Sequence, residues 1–411
     1  MARCHQTTLT QLGQWLTRTL KAMSVESEEV WKDMFMTAGV VTTSSCVINS
    51  NVQVRQRMNK MDHNPRFSNA NTSRQQQTYD FSTMYTNLKL ESPPGDESKD
   101  SRGMKEMMKK YAALVFDWAK QNHGTRGKDK VLLVSKNGAG KWINADGKYG
   151  DTKSKKVITP ARFEKWINYL LDNLYVQVGD QLLRQVTGIP MGVSCSPYLA
   201  NLMLFMYELE FFDGFISKHD PIRNKQARQL LWKLSCCTRY IDDLWNPLVP
   251  KAKFQSITKQ MYPTWLQLGD PESEGTMVNY LDMSIWQQDG TWQSKLYDKR
   301  VELQAKGLKL NKFPHPETKI TTRCKYGVIS SQLHRFKTVC TQTSHFLDAA
   351  TTLYTEYINK GYDQQLVDKR VYKFLRRERD TLTIKPTAIR YRYQKQRLQA
   401  RKQPPQVDPK Q

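Results

Sequence analysis

No window of this 411-residue chain approaches the run of about 18 apolar residues that a membrane-spanning helix needs, so such a span is excluded. Cysteine is sparse, seven in all, odd in number and without a Cys-x-x-Cys pair; a disulfide scaffold is excluded and a zinc signature is missing. The seven histidines fall at no ligand spacing, which also speaks against zinc. No internal repeat is visible. Acid is scarce beside base: 39 Asp plus Glu face 63 Lys plus Arg, leaving a formal charge of +24. Hydrophobic residues at 39% and aromatics at 10% are still enough to bury a large core, so wholesale disorder is not expected. The chain reads as a soluble protein of a reducing compartment, long enough for about two to three structural units.

The excess positive charge implies an anionic partner. Polyphosphate is the favoured one, because each neutralised phosphate releases condensed counterions. An anionic membrane surface and plain solubility are the rival readings.

Residues 1–23 carry Arg3, Arg18 and Lys21 and no acid, with Leu9, Leu12, Leu16 and Leu20 on one helical face. An amphipathic helix of the fold is favoured there over a mitochondrial presequence. Val52 to Arg74 is polar and basic, with Arg55, Arg57, Lys60, Arg66 and Arg74. A β-like run, Gln77 to Ser82, follows, and Glu91 to Asp96 reads as a loop. Met104 to Lys120 reads as helix, and Gln121 to Lys156 as short strands with exposed turns. Phe163, Trp166, Ile167, Leu170, Leu171 and Leu174 recur at helical spacing. Tyr175–Val178 and Gln181–Arg184, joined by Gly179-Asp180, read as a hairpin. A helix begins at Ser196-Pro197, with Ser196 as its expected cap. A second hairpin is expected from Thr276 to Lys299 around Asp289-Gly290. Helix is expected again from Tyr326 to about Arg379, and the basic, Gln-rich remainder is expected to be disordered.

Three carboxylates stand out. Asp80 lies in Tyr79-Asp80-Phe81-Ser82, and Asp242 and Asp243 are adjacent in Tyr240-Ile241-Asp242-Asp243-Leu244. A Tyr-x-Asp-Asp match is weak alone, arising by chance in roughly one chain in fifteen of this size. Paired aspartates in a turn are often merely solvated. The setting is more telling. The run from Cys236 to Tyr240 is uncharged apart from Arg239, and Leu244-Trp245 is apolar, so the pair should sit at the tip of a buried hairpin. Like charges held so close must raise a pKa or bind a cation. Magnesium suits a few carboxylates plus water and phosphates, and Asp80 from another strand end would complete a two-metal site for nucleotidyl transfer. Between these positions, in Gly188 to Pro197, Gly188, Pro190 and Gly192 let backbone approach a ligand closely; an ordinary connection is the plain alternative.

The order Tyr79-Asp80-Phe81-Ser82-Thr83-Met84-Tyr85-Thr86, then Gly188-Ile189-Pro190-Met191-Gly192-Val193-Ser194-Cys195-Ser196-Pro197, then Arg239-Tyr240-Ile241-Asp242-Asp243-Leu244 resembles motifs A, B and C of reverse transcriptases. Met191 before Gly192 resembles the Penelope-like retroelement branch. So do Asn279-Tyr280-Leu281-Asp282-Met283, Lys295-Leu296-Tyr297-Asp298-Lys299 and His334-Arg335-Phe336-Lys337-Thr338-Val339-Cys340. The similarity covers about residues 78–375.

This resemblance implies an α+β right-hand polymerase with a palm of antiparallel sheet plus helices, short fingers and a helical thumb. Its expected divisions are partial fingers over 1–76, palm over 77–300 with a fingers-like insertion at about 91–160, thumb over 301–380 and a basic tail over 381–411. Asp80, Asp242 and Asp243 would hold two Mg2+ ions, with Mn2+ as a substitute and the Phe81 carbonyl as an accessory ligand. Tyr85 matches the aromatic gate that excludes a ribose 2′-hydroxyl, with a packed helix-start aromatic as the plain alternative. Gly192, beside the templating pair, and Tyr240 would contact substrate, and Tyr280, Leu281 and Asp282 would form the primer grip. The implied partners are an RNA template, a DNA primer and dNTPs, without a membrane, and the implied location is the nucleus, with the cytoplasm as second choice.

Three departures accompany the resemblance. Only 79 residues precede Asp80, short for complete fingers, and the triphosphate-binding basics have only Arg55, Arg57 and Lys60 as candidates, for which a solvated basic face is an equal reading. No lysine lies between Lys259 and Lys295 to serve as general acid. No Gly-Ile-Tyr…Tyr-Ile-Gly endonuclease segment is present, so target cleavage is not expected. The cysteines Cys195, Cys236 and Cys237 read as small buried hydrophobes. Trp142, Trp286 and Trp292 read as core or hairpin-pairing residues before base-stacking ones. Arg390, Arg392, Arg397 and Arg401 would add sequence-independent phosphate affinity. The rival functions are a non-catalytic nucleic-acid-binding remnant and a template-independent nucleotidyl transferase.

Overall fold

Leu9, Leu12, Leu16 and Leu20 do share a helix, α1 (Thr8–Thr37), in the computed structural model, which describes residues 8–402 apart from 43, 64–74, 97, 138–139, 148, 191, 267, 309 and 311. After α1 come α2 (Asn51–Asp62), β1 (Gln76–Asp80), α3 (Met84–Asn87), α4 (Met104–Asn122), β2 (Lys130–Ser135), β3 (Lys141–Asn144), β4 (Lys155–Ile158) and α5 (Pro160–Asp172). The middle holds β5 (Tyr175–Val178), β6 (Gln181–Arg184), α6 (Ser196–His219), α7 (Lys225–Ser235), β7 (Thr238–Tyr240), β8 (Asp243–Asn246), α8 (Lys251–Met261) and β9 (Ser273–Gly275). The last third holds β10 (Met277–Tyr280), β11 (Met283–Gln288), β12 (Thr291–Leu296), α9 (Lys299–Ala305), α10 (Thr322–Val339), α11 (Thr343–Asn359), α12 (Gln364–Arg377), α13 (Arg379–Leu382) and α14 (Ala388–Lys402). Two compact units result: Met1–Asn49 with Gln75–Glu274, and Ser50–Arg74 with Gly275–Gln411. Of the expected basic residues, Arg66 and Arg74 lie outside the described residues, as does Met191.

In the first unit, α6 is apolar on nearly every side and runs through the core, as such a helix must to keep its surface from water. Around it gather Leu16 and Leu20 of α1 and Tyr111 and Val115 of α4, and Phe163 and Ile167 of α5 join the same core by packing on α1 and α4. Trp31 and Phe35 stack at 4.9 Å, and Phe212 of α6 packs edge-on against Trp31. The N-terminal leucine face thus belongs to this core. Helix α5 starts with Thr159 as its cap and Pro160 in its first turn. Ser196 does not cap α6. It is the first helical residue, with Cys195 in the cap position, and its hydroxyl donates back to the Pro190 carbonyl at 2.6 Å, folding the preceding loop onto the helix start.

A four-stranded sheet, ordered β7-β8-β1-β9, lies in this unit, with β1 and β7 each antiparallel to β8. The stretch from 121 to 156, expected as short strands, forms the sheet β3-β2-β4, and the Gly179-Asp180 hairpin forms β5-β6. Trp142 is a packing residue: its indole N–H donates to Glu26 at 2.8 Å and its ring meets Phe116 edge-on at 4.9 Å.

The second unit joins the sheet β10-β11-β12 to a helical bundle of α10, α11, α12 and α14. The Asp289-Gly290 turn forms as expected, with positive φ at both residues. Helix α2 belongs here: Asp62 accepts from the backbone N–H of Trp292 at 2.8 Å, and Arg55 donates to the Lys337 and Thr338 carbonyls at the end of α10. The stretch expected to be disordered from 381 instead carries α13 and α14. Ile389 is fully buried and Arg390 pairs with Asp368 at 3.0 Å, because Ile384, Ile389 and Tyr393 together supply an apolar stripe.

Candidate metal centre

Strand β1 is rich in glutamine yet buried, and its side chains fix its register. Gln77 and Asn246 are register partners on β1 and β8, and the Asn246 amide donates to Gln77 at 2.7 Å. One position on, the Trp245 indole N–H donates to Gln76 at 3.0 Å. Buried polar pairs of this kind penalise a slipped register, since each slip leaves them unsatisfied. That register sets Asp80 directly opposite Asp243.

The β7–β8 hairpin supplies the rest. Tyr240 pairs with Asp243, leaving Ile241 and Asp242 as the two-residue turn. Ile241 has φ of 57°, a left-handed conformation that costs a β-branched residue on the order of 1–3 kcal/mol. The Phe81 N–H donates to the Asp242 carbonyl at 3.2 Å, tying the end of β1 to that turn. Together these contacts bring one carboxylate oxygen each from Asp80, Asp242 and Asp243 within 4.8 Å of one another. All three residues are partly buried, and among the described residues no other trio of His, Cys, Asp or Glu side chains is so placed. Three hard oxygen donors without sulfur or imidazole fit Mg2+ or Mn2+ rather than zinc.

The other expected residues fall as follows. The Phe81 ring is buried edge-on against Tyr262 at 4.8 Å, and its carbonyl accepts from the Met84 N–H at 3.4 Å. Tyr85 lies on the single turn α3, half-buried. Burial, helped by the charge of Asp242 and by Tyr240, pushes its phenol up to about 12, so the ring stands beside Asp242 in neutral form. The motif-B loop is clipped to this turn: Ile189 N–H donates to the Tyr85 carbonyl at 2.9 Å and Gly188 N–H to the Leu88 carbonyl at 2.7 Å. Gly188 has φ of +78°, and a Cβ there would lie 2.6 Å from the Tyr85 carbonyl oxygen, so only glycine fits. Gly192 is exposed in the same loop.

Tyr280, Leu281 and Asp282 lie in the second unit, on the β10–β11 hairpin. Tyr280 is buried, Leu281 has φ of 55°, and Asp282 accepts from Asn51 and Arg335. Of the candidate triphosphate basics, none is a solvated face: Arg57 is 3% exposed, the Lys60 amine is buried, and Arg55 is half-buried on the end of α10.

Sequence reasoning assigned no role to Gly188 individually or to Arg239. Arg239 is fully buried and ion-paired with Glu208 of α6 at 2.6 Å. The signal was partial: Arg239 is the one charge between Cys236 and Tyr240, and Glu208 is the first charge after the uncharged run from Gln185 to Tyr207, so when both are buried they must find each other.

No protein-family model and no curated protein matches the chain. In fold it is similar to a solved telomerase from Candida albicans, in complex with the TWJ fragment of telomeric RNA, with a TM-score of 0.50 at 10% identity over 92% of this chain. A structure of apo telomerase from Candida tropicalis aligns over 94% of this chain at 12% identity, with a TM-score of only 0.42. The chain spans about half the length of these structures, 54% and 52%. At such identity the likeness concerns fold alone: the chain shares the mixed helix and antiparallel-sheet architecture of the Candida albicans structure.

Proposed function

We propose that this chain is an RNA-directed DNA polymerase of the Penelope-like retroelement branch, extending a primer 3′-hydroxyl with dNTPs. One observation carries the reading: Asp80, distant in sequence, converges with Asp242 and Asp243 into an all-oxygen cluster within 4.8 Å. The telomerase-like fold supports the coarser part of it, templated nucleotidyl transfer. The Penelope-like part rests on the sequence motifs at Met191-Gly192, 279–283, 295–299 and 334–340.

In this reading the β7-β8-β1-β9 sheet is the palm, and the helices of the second unit are the thumb that holds the template–primer hybrid. Asp80, Asp242 and Asp243 hold the metal ions, with the Phe81 carbonyl as an accessory. Two Mg2+ ions there would supply the Lewis acidity that activates the primer 3′-oxygen and stabilises the departing pyrophosphate. The Tyr85 ring screens the sugar, because a flat, neutral ring beneath it leaves no room for a 2′-hydroxyl. Gly192 leaves the backbone open toward the templating pair, with Tyr240 beside it, and Tyr280, Leu281 and Asp282 steady the primer end. The nucleus belongs to this reading as the place of action.

Extension of a DNA primer tests it, comparing an RNA template, a DNA template and no template, each with dNTPs or rNTPs and Mg2+. Elongation with dNTPs that follows the RNA sequence supports the proposal. Hybrid binding without incorporation points to a non-catalytic remnant, and equal elongation without template to a terminal transferase; either result overturns it.

A further inference from the structure

Asp242 stands between two peptide planes, and each is held by a group outside the two-residue turn. The plane after it is fixed by the Phe81 N–H on its carbonyl. The plane before it is fixed by Arg239: its Nη1 donates to the Ile241 carbonyl at 3.0 Å. Orienting that carbonyl sets both the left-handed Ile241 and the direction in which the Asp242 side chain leaves the turn.

The guanidinium itself has no freedom. Nε donates to Glu208 Oε1 at 2.6 Å and Nη2 to Oε2 at 3.2 Å, while Nη1 donates to the Asn201 side-chain oxygen at 2.8 Å and Nη2 to the Asn201 carbonyl at 3.2 Å. Glu208 is held in turn by the Tyr262 hydroxyl at 2.7 Å and the Cys46 thiol at 2.9 Å. Arg239 and Glu208 are 0% and 1% exposed. Burial alone would lower the Arg239 pKa, but Glu208 opposite it more than reverses this, so the group stays cationic. A buried pair of this kind gains little stability over apolar residues of equal size. Position, which needs a rigid fork with donors on three nitrogens, is what an apolar pair or a lysine does not supply.

We infer that Arg239 is a positioning residue of the metal centre, a buried clamp through which Glu208 and Asn201 on α6 hold the strained Ile241-Asp242 turn in its cation-binding shape. The inference rests on the metal reading of the three aspartates and adds to it the group that keeps them aligned.

The test is Mn2+ binding to the whole chain without nucleic acid, read by electron paramagnetic resonance, beside thermal melting. The proteins are wild type, Asp242→Ala, Arg239→Lys, Asn201→Ala, and Arg239→Lys combined with Ile241→Gly. Arg239→Lys retains a charge for Glu208 but loses the fork, and its Mn2+ half-saturation should rise about tenfold, the scale of the strain released. Glycine adopts a left-handed conformation without penalty, so adding Ile241→Gly should restore half-saturation to within about threefold of wild type. Asn201→Ala leaves the ion pair intact and should weaken Mn2+ binding by about threefold while melting normally; it carries the test if Arg239→Lys does not fold. Wild-type Mn2+ binding in folded Arg239→Lys, weakening that Ile241→Gly does not rescue, or unchanged binding in Asn201→Ala would each overturn the inference alone. Wild-type protein that binds Mn2+ no better than Asp242→Ala overturns the metal reading itself, and the clamp with it.

Discussion

Asp80 and Asp243 face each other as register partners across β1 and β8, so the candidate metal centre is built by strand pairing before any side chain adjusts. The alignment depends on the buried ladder behind it, where Gln77 meets Asn246 and Gln76 meets Trp245.

Gln77→Leu should therefore cost about 1–3 kcal/mol of stability, since it leaves a buried amide short of a partner. It should also lower activity although position 77 lies three residues from Asp80. Denaturant melting and extension kinetics check both effects, and a variant as stable and active as wild type contradicts the register argument.

Three carboxylates this close repel one another when no cation is bound. Asp242→Asn should raise the unfolding free energy without magnesium, by on the order of 1 kcal/mol. Wild type should gain about 1.4 kcal/mol from Mg2+ at ten times its dissociation constant, and the variant should lose that gain. Urea titrations with and without Mg2+ measure it. Equal magnesium stabilisation of the two proteins removes the cluster as the binding site.

Tyr85 is neutral throughout the working pH range, its phenol pushed up to about 12 by burial and by Asp242 and Tyr240. Its selectivity should accordingly not change between pH 7 and pH 9. Tyr85→Val removes the ring and should raise rNTP use relative to dNTP by about 10–100-fold. Competition between the two nucleotides on one template reads this ratio, which a purely packing role for Tyr85 would leave where it was.

Gly188→Ala meets two obstacles, a φ of +78° and a carbonyl oxygen 2.6 Å from the new Cβ. It should destabilise the first unit by about 2 kcal/mol or more and displace the motif-B loop from α3. Gly214→Ala, on a helix with open space around its Cα, should not destabilise the chain. Paired melting curves decide between a positional need and a general intolerance of methyl groups.

How much of this was legible from residues alone differs by element. The hairpin at 240–243, β1, α5 and the Asp289-Gly290 turn were readable because local pattern and turn chemistry decide them. Asp80 meeting its two partners was expected from the chemistry of a third carboxylate at another strand end and from the resemblance, while nothing local to residue 80 tells which strand it pairs with. The place of Arg55, Arg57 and Lys60 was not readable: the stretch from Val52 reads only as polar and basic, and only the packing of α2 in the second unit buries Arg57 and sets Arg55 on the carbonyls of α10. The helix α14 was missed because its apolar stripe is thin, Ile389 and Tyr393 among many charges, and becomes decisive only with Tyr354 to pack on. The pairing of Arg239 with Glu208 left only a partial trace, a single charge between Cys236 and Tyr240 and the first charge after a long uncharged run, whose meaning needed the third dimension.

The most direct measurement is single-turnover addition of one dNTP to a DNA primer on an RNA template with Mg2+, comparing wild type with Asp80→Ala. The account predicts that wild type extends the primer by the templated nucleotide and that Asp80→Ala, folded as judged by its melting curve, is slower by on the order of a thousandfold. Extension by Asp80→Ala at the wild-type rate would contradict it.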